Sequence, residues 1–190
     1  MRLIPLTALV FFLVACGSSP DLPPPQTLSY LAQQPLRLNI ARVEVVKQYQ
    51  SSSQPPHVEN DLPMPPMAMI HQWTQDRLIP VGKTGHAVVT IEEASVVESS
   101  QGPRESKGWF ASKPGDQYEA KVSVKIEIFD DAGVSKGFAY ARSQTSRSMA
   151  ANLTLGQRRI VWMNMMETVL THLDKELEFN AKRYLSAYLQ

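Results

Sequence analysis

The stretch from Tyr118 to Phe129 has the most regular pattern of hydrophobic and polar residues in the chain. Every second residue up to Ile128 is apolar, and the residues between them are charged or serine. Such alternation is typical of a strand in an antiparallel sheet with one buried face and one solvated face. Asp130-Asp131-Ala132-Gly133 then predicts a turn, and Lys136 to Gln144 predicts the returning strand.

Two earlier segments alternate in the same way but change phase in the middle. From Leu36 to Tyr49 the apolar residues move from even to odd positions, and from His86 to Ser99 they move from odd to even after Glu92-Glu93. A shift of one residue turns the other face of a strand toward the core unless a bulge absorbs it. Both segments are predicted as strands with an irregularity, and the irregularities lie side by side if the strands pair.

Two segments show helical periodicity. Met67 to Leu78 begins beside prolines and ends before Pro80 and Gly82, as expected of a helix. Thr154 to Leu189 has apolar residues at steps near three and four, and Thr154 with Gln157 has the spacing of a capping box. The order β-α-β-β-β-α predicts an α+β domain, a mainly antiparallel four-stranded sheet with both helices on one face.

The last predicted helix is long for so small a domain. It would extend about 54 Å if continuous, against roughly 40 Å for the whole globule. Its apolar residues are densest from Trp162 to Leu177 and return at the tip as Tyr184, Leu185, Tyr188 and Leu189. Either the tip overhangs the domain and contacts a partner, or a bend near Asn180 folds it back.

Two loops are candidates for binding. Gln50 to Pro66 is polar and proline-rich, which suits either a partner-binding loop or an extended wrap across the surface. Ser100 to Gln117 contains Trp109 and Phe110 among arginine and lysine residues. Aromatics flanked by cations suit a membrane interface or a partner contact, and the alternative is that Trp109 covers a sheet edge.

Charge and motifs argue against nucleic-acid binding and catalysis. Lys and Arg number 19 against 18 Asp and Glu, and Cys16 is the single cysteine, so no internal disulfide or thiolate metal site is expected. Gly82-Lys83-Thr84-Gly85 lacks the companion residues of a β-lactamase or a phosphate-binding loop. His57-x-Glu59 lacks the cysteines of a zinc deaminase. The chain is therefore predicted to be no enzyme and to need no cofactor.

The first residues have the pattern of an export signal. Met1-Arg2 precedes an apolar run that ends in Leu13-Val14-Ala15-Cys16, and the run from Leu3 to Cys16 is about 21 Å as a helix, too short for a bilayer core of about 30 Å. Leu13-Val14-Ala15-Cys16 resembles the lipobox of bacterial lipoproteins. This resemblance implies removal of residues 1–15 as a signal peptide, diacylglycerol on the Cys16 thiol, and a further acyl chain such as palmitate on its amine.

The same resemblance implies a location. Gly17 stands where lipoproteins kept in the inner membrane often carry Asp, so transfer to the outer membrane is expected, with the domain facing the periplasm and the inner membrane as the alternative. Cys16 would then hold the chain on the membrane. Residues 16–34, with their prolines, are predicted to be a tether, and residues 35–190 a single domain.

Lipobox, proline-rich tether and one small α+β domain together resemble the accessory lipoproteins of envelope transport systems. Examples are the lipopolysaccharide-assembly lipoprotein and the PqiC-type auxiliary lipoproteins of lipid transport. The resemblance implies a non-enzymatic adaptor that docks on an envelope protein complex. A lipid- or glycan-binding module of the envelope is the second hypothesis, and a hydrolytic enzyme is the third.

Overall fold

Six strands and two helices follow one another in the part of the chain that the computed structural model describes, which is residues 33–100, 115–150 and 152–190. Cys16, Trp109 and Phe110 lie outside these residues. The elements in chain order are β1 (Leu36–Leu38), β2 (Arg42–Lys47), a 3-10 turn (Glu59–Asp61), α1 (Pro66–Arg77), β3 (Leu78–Pro80), β4 (His86–Ser100), β5 (Asp116–Phe129), β6 (Ser135–Met149), α2 (Leu155–Tyr184) and a closing 3-10 turn (Ser186–Tyr188). The predicted α+β class is confirmed.

The apolar face predicted for β5 is confirmed. Its six inward residues are at most 1% exposed: Tyr118, Ala120, Val122, Val124, Ile126 and Ile128. On the opposite face lysines pair with glutamates two residues away, Lys121 with Glu119 at 2.8 Å and Lys125 with Glu127 at 2.9 Å. β5 is an interior strand of the larger sheet, whose strand order is β2-β4-β5-β6.

The larger sheet is mixed, so the prediction of a mainly antiparallel sheet is wrong. β4, β5 and β6 are antiparallel neighbours, but β2 runs parallel to β4, and β1 runs parallel to β3 in a separate two-stranded sheet. The reason is α1, which lies between these strands in the chain. A helical crossover returns the chain to the end where it started, and the next strand then runs parallel to the first.

The first predicted strand is two strands, which corrects the single strand from Leu36 to Tyr49. The chain turns at residues 39–41, where Ala41 N donates to Thr84 O and Gly85 O, so β1 and β2 enter different sheets. The predicted bulge in β4 is confirmed between Ile91 and Glu93. The two irregularities do not lie side by side, because the turn at residues 39–41 meets Thr84 and Gly85, whereas the bulge of β4 lies between Ile91 and Glu93.

Both helices share one core with the apolar face of the sheet. α1 contributes Met69, Ile70 and Trp73, while α2 contributes buried residues from Trp162 to Ala181. Pro66 occupies the first turn of α1, where its missing N–H costs nothing. The predicted capping box of α2 is confirmed by bonds between Thr154 and Gln157, from each backbone N–H to the other's side chain.

The C-terminal tip folds back on the domain. α2 is continuous for 30 residues, about 45 Å, and passes through Asn180 without the bend proposed there. The chain turns at Leu185, which is 1% exposed. Tyr188 O then accepts a hydrogen bond from Asn39 N at 2.7 Å, and Leu189 pairs with Leu38 of β1. The folded-back alternative is therefore the one observed.

Candidate docking surface

A buried carboxylate fixes the proline-rich loop between β2 and α1. Glu59 is 1% exposed and accepts hydrogen bonds from Tyr49 Oη (2.8 Å), Ser51 Oγ (3.2 Å), Ser52 N (3.2 Å), His57 Nδ1 (3.2 Å) and Val96 N (3.4 Å). The loop runs along β4, where Val58 N donates to Val96 O and Glu98 N donates to Pro56 O. Of the two alternatives for this loop, the extended wrap is the one observed.

The electrostatics of this cluster favour the ionised form of Glu59. Burial alone would raise the pKa of Glu59, but the hydrogen bonds from Tyr49, Ser52 and Val96 outweigh it and leave this pKa lowered. Burial and the neighbouring Glu59 raise the pKa of Tyr49. These hydrogen bonds favour the ionised form of Glu59, which accepts them and holds the loop against β4.

A second buried cluster joins the two helices. Asp174 Oδ1 accepts from Trp73 Nε1 and from Arg77 Nε, both at 2.7 Å, and Arg77 Nη2 pairs with Glu178 Oε2 at 2.7 Å. Arg77 Nη1 donates to Gln34 O, which ties the start of the domain to the same point. Arg77 and Asp174 are 1% and 3% exposed, so these two residues lie in the core, and the cluster reaches solvent only through Glu178, whose side chain is 35% exposed.

A third polar cluster lies where β4 and β5 meet the start of α2. Arg158 donates to Tyr118 Oη at 3.1 Å and lies 3.5 Å from Asp116 and 4.0 Å from Glu98. Burial, followed by the neighbouring Glu98, raises the pKa of Tyr118 to about 12. This phenol stays protonated at neutral pH and cannot serve as a base there.

Across residues 33–100, 115–150 and 152–190, no three His, Cys, Asp or Glu side chains are grouped as metal ligands. Within those same ranges, no helix has both the length and the apolar character needed to cross a bilayer.

Four large aromatic side chains are exposed on two neighbouring elements, two on the solvated face of β6 and two on the second half of α2. Phe138 and Tyr140 of β6 are 55% and 37% exposed, and Phe179 and Tyr184 of α2 are 62% and 57% exposed. The two elements touch here, because Asn180 Nδ2 donates to Tyr140 O at 2.8 Å. A Cβ built on Gly137 would lie 3.5 Å from Tyr184 O. We call these four residues the aromatic patch.

The structure separates the predicted contact residues at the C-terminus. Tyr184 belongs to the aromatic patch, but Leu185 is buried in the core, which removes it as a contact residue. Tyr188 and Leu189 are half-buried against the core. Lipidation of Cys16 and contact of Trp109 and Phe110 with a membrane or a partner stay predictions.

Phe138, Tyr140 and Phe179 were not predicted as contacts. The signal for the first two was present in Phe138-Ala139-Tyr140-Ala141, where both faces of a strand are apolar and the larger residues share one face. The core takes the small residues, Ala139 and Ala141, because α2 packs close to that face. The large residues are left on the solvent side.

No protein-family model matches the chain, and no curated protein is similar enough to count as a relative.

Proposed function

We propose that the protein is a lipoprotein held by Cys16 on the periplasmic side of the outer membrane, and that it acts as a non-enzymatic adaptor of an envelope transport or assembly complex. The anchor rests on the lipobox Leu13-Val14-Ala15-Cys16. Two or three acyl chains would hold the chain on a membrane stably, because each buried methylene contributes about 0.8 kcal/mol.

The observation that carries the adaptor role is the aromatic patch. Exposed clusters of large aromatic side chains are the usual energetic centre of protein interfaces. The patch combines exposed residues of an outer strand, Phe138 and Tyr140, with exposed residues of the helix that packs against that strand, Phe179 and Tyr184. The absence of an enzymatic role is part of the proposal, and it is supported by the structural hydrogen bonds that the buried carboxylates of Glu59 and Asp174 accept.

The anchor is tested by acyl labelling of the protein in its own host. The wild type is expected to incorporate a radiolabelled fatty acid and to fractionate with the outer membrane. Cys16→Ser is expected to accumulate as an unlabelled precursor, with Ser18→Ala as a control that is labelled normally. Labelling of Cys16→Ser at the wild-type level would contradict the lipoprotein proposal.

The adaptor role is tested by crosslinking in intact cells with identification of the crosslinked proteins. The double variant Phe138→Ser, Tyr184→Ser should lose crosslinks to subunits of an envelope complex while the melting temperature stays close to the wild type. The matched control changes two exposed apolar residues elsewhere, Val46 and Leu155, which are 45% and 55% exposed, to serine. Equal loss in both variants, or co-purification of lipid without any protein, would contradict the adaptor proposal.

A further inference from the structure

β6 is the outer strand of the larger sheet on the side opposite β2. It is 15 residues long, Ser135–Met149, and contains no proline and no acidic residue. Natural sheets usually protect an outer strand with proline, a bulge, a short length or a covering element, because its free N–H and C=O groups can pair with another chain. β6 has no proline and is long, α2 packs against it and reaches its edge at Tyr140, and beyond that point its protection consists of the cations Arg142 and Arg147.

The direction of the backbone groups follows from the bond between Asn180 Nδ2 and Tyr140 O. That carbonyl points away from β5, since it meets α2 at the edge of the sheet. In an antiparallel ladder, alternate residues direct both N–H and C=O to the same side. The N–H and C=O groups of Arg142, Gln144 and Ser146 therefore also point away from β5. None of these three has a backbone partner on that side among the described residues.

The opposite side of the sheet gives the same alternation. Val96 O bonds to Val58 N in the proline-rich loop, so the backbone groups of Val96 point away from β5. Val96 pairs with Ala120, and Ala120 pairs with Thr145. In an antiparallel sheet the backbone direction alternates along each strand, so the N–H and C=O groups of Ala120 point to β6 and those of Thr145 point to β5. The N–H and C=O groups of Gln144 and Ser146 then point to the free side.

The charge of β6 limits what can occupy this side. Lys136 is paired with Asp130 at 2.7 Å, but Arg142 and Arg147 are exposed and form no ion pair with any described residue. A second copy of this chain would bring another β6 without a carboxylate, so the cations would face one another. A lipid surface cannot supply alternating N–H and C=O groups. The complementary occupant is an extended peptide segment rich in Asp and Glu.

We propose that β6 binds an acidic, extended segment of a partner protein as a further strand of the sheet. Its backbone pairs with Arg142, Gln144 and Ser146, and its carboxylates lie beside Arg142 on the solvated face of the sheet. The identity of the partner rests on the proposed adaptor function. The pairing itself rests only on the backbone and charge of β6.

The first test uses the full-length acylated protein in detergent micelles and three labelled, end-blocked octapeptides. The acidic probe alternates valine and glutamate, the second has lysine in place of glutamate, and the third is the acidic probe with alternate peptide nitrogens methylated. Binding is measured by fluorescence anisotropy at low and high salt. The lysine probe should bind roughly tenfold more weakly at low salt. The methylated probe should not bind, because it cannot donate along the edge.

The second test changes the protein. Gln144→Pro removes an outward N–H and should abolish binding of the acidic probe, while Gln144→Thr alters only the side chain and should bind like the wild type. Arg142→Glu should reverse the preference between the acidic and lysine probes. Amide exchange of Arg142 and Gln144 should slow when the acidic probe is bound. The methylated probe tests the pairing with unchanged protein, so the result does not depend on how well Gln144→Pro folds.

Several results would overturn the proposal. These are equal binding of the methylated and acidic probes, equal binding of the lysine and acidic probes, and self-association that Gln144→Pro abolishes, which would make the occupant a second copy. Binding to phosphatidylglycerol vesicles that requires Arg142, with no binding of the acidic probe, would assign the edge to a lipid surface. Probe binding with no crosslinks at the aromatic patch would contradict the adaptor function and leave the strand pairing standing.

Discussion

The two outer edges of the larger sheet differ in how far their backbone groups are covered. On one side β2 has six residues and stops opposite the bulge of β4, and the proline-rich loop continues along β4 with Glu59 holding it in place. We call this the closed edge. On the other side β6 continues for 15 residues without a proline. Asn180 Nδ2 of α2 donates to Tyr140 O on its free side, and we call this the open edge.

The difference shows what each edge is built to allow. Pro55 and Pro56 cannot donate hydrogen bonds, so the closed edge offers little to a further strand. Burying a carboxylate costs free energy, and the hydrogen bonds from five donors to Glu59 offset that cost and hold the loop in place. The open edge has cations instead, which oppose pairing between identical copies without covering the backbone. This contrast is the basis of the proposed strand pairing.

The largest effect on stability is expected in β5, the interior strand that pairs with both β4 and β6. Val124→Asp places a carboxylate at a fully buried position of β5, and an unpaired buried charge costs about 3–5 kcal/mol. Lys125→Asp on the solvated face should cost about 1 kcal/mol or less. Urea unfolding followed by circular dichroism measures both. Equal losses in the free energy of unfolding would mean that the two faces of β5 are wrongly assigned.

Proline substitution in β6 compares adjacent residues with opposite backbone directions. Ser143→Pro removes an N–H that points to β5 and should cost about 2–4 kcal/mol through the lost ladder bond and the steric clash of the ring. Gln144→Pro removes an N–H that points to the free side and should cost about 1 kcal/mol or less. Thermal and urea unfolding provide the measurement. Similar costs for the two variants would refute the alternation on which the open edge rests.

Removal of the Glu59 carboxylate should release the closed edge. Glu59→Ala leaves the hydroxyl of Tyr49 and the N–H groups of Ser52 and Val96 without their acceptor, at a cost of about 2–3 kcal/mol. Glu44→Ala, on the exposed face of β2, serves as the control. Limited proteolysis should cut Glu59→Ala within residues 50–65 while β6 keeps its amide protection. Loss of protection in β6 as well would mean that the two edges are not independent.

The parts of the fold predicted from the sequence depend on local signals. The alternation of β5, the Asp130–Gly133 turn with Gly133 at φ +76°, and the capping box of Thr154 and Gln157 each involve residues a few positions apart. The parallel β2 was missed although the order strand-helix-strand indicates it. The long polar loop between β2 and α1 separates the strand from the helix, so the pattern of a strand-helix-strand crossover was not recognised.

The clusters that hold the elements together had no such signal. Arg77 and Asp174 are 97 residues apart in the chain, so neither residue indicates the other before the helices are placed. The sequence pattern around Glu59 contains one of its partners, His57, whereas other partners come from β4 and from elsewhere in the loop. The open edge could not be foreseen either, since strand order, and not the sequence of β6, decides which strand is outermost.

The smallest effect is expected from pH, and it should act on the closed edge alone. Because the folded-state pKa of Glu59 is lowered, this group stabilises the fold above its unfolded pKa and loses that contribution as pH falls through the folded pKa. Glu127 and Glu178 also have lowered pKa values, so acid weakens the whole domain, and the contribution of Glu59 must be obtained as a difference between two proteins.

The free energy of unfolding is therefore measured from pH 7 downward for the wild type and for Glu59→Gln, which keeps the size of the side chain but cannot ionise. The advantage of the wild type should be constant near neutral pH and shrink below about pH 4, where an unfolded glutamate begins to bind its proton. Amides of Val96 and Glu98, corrected for intrinsic exchange, should lose protection in the same range while those of Thr145 do not. An advantage that stays constant down to pH 3 would show that ionisation of Glu59 does not hold the loop, and the closed edge would then depend on its backbone bonds alone.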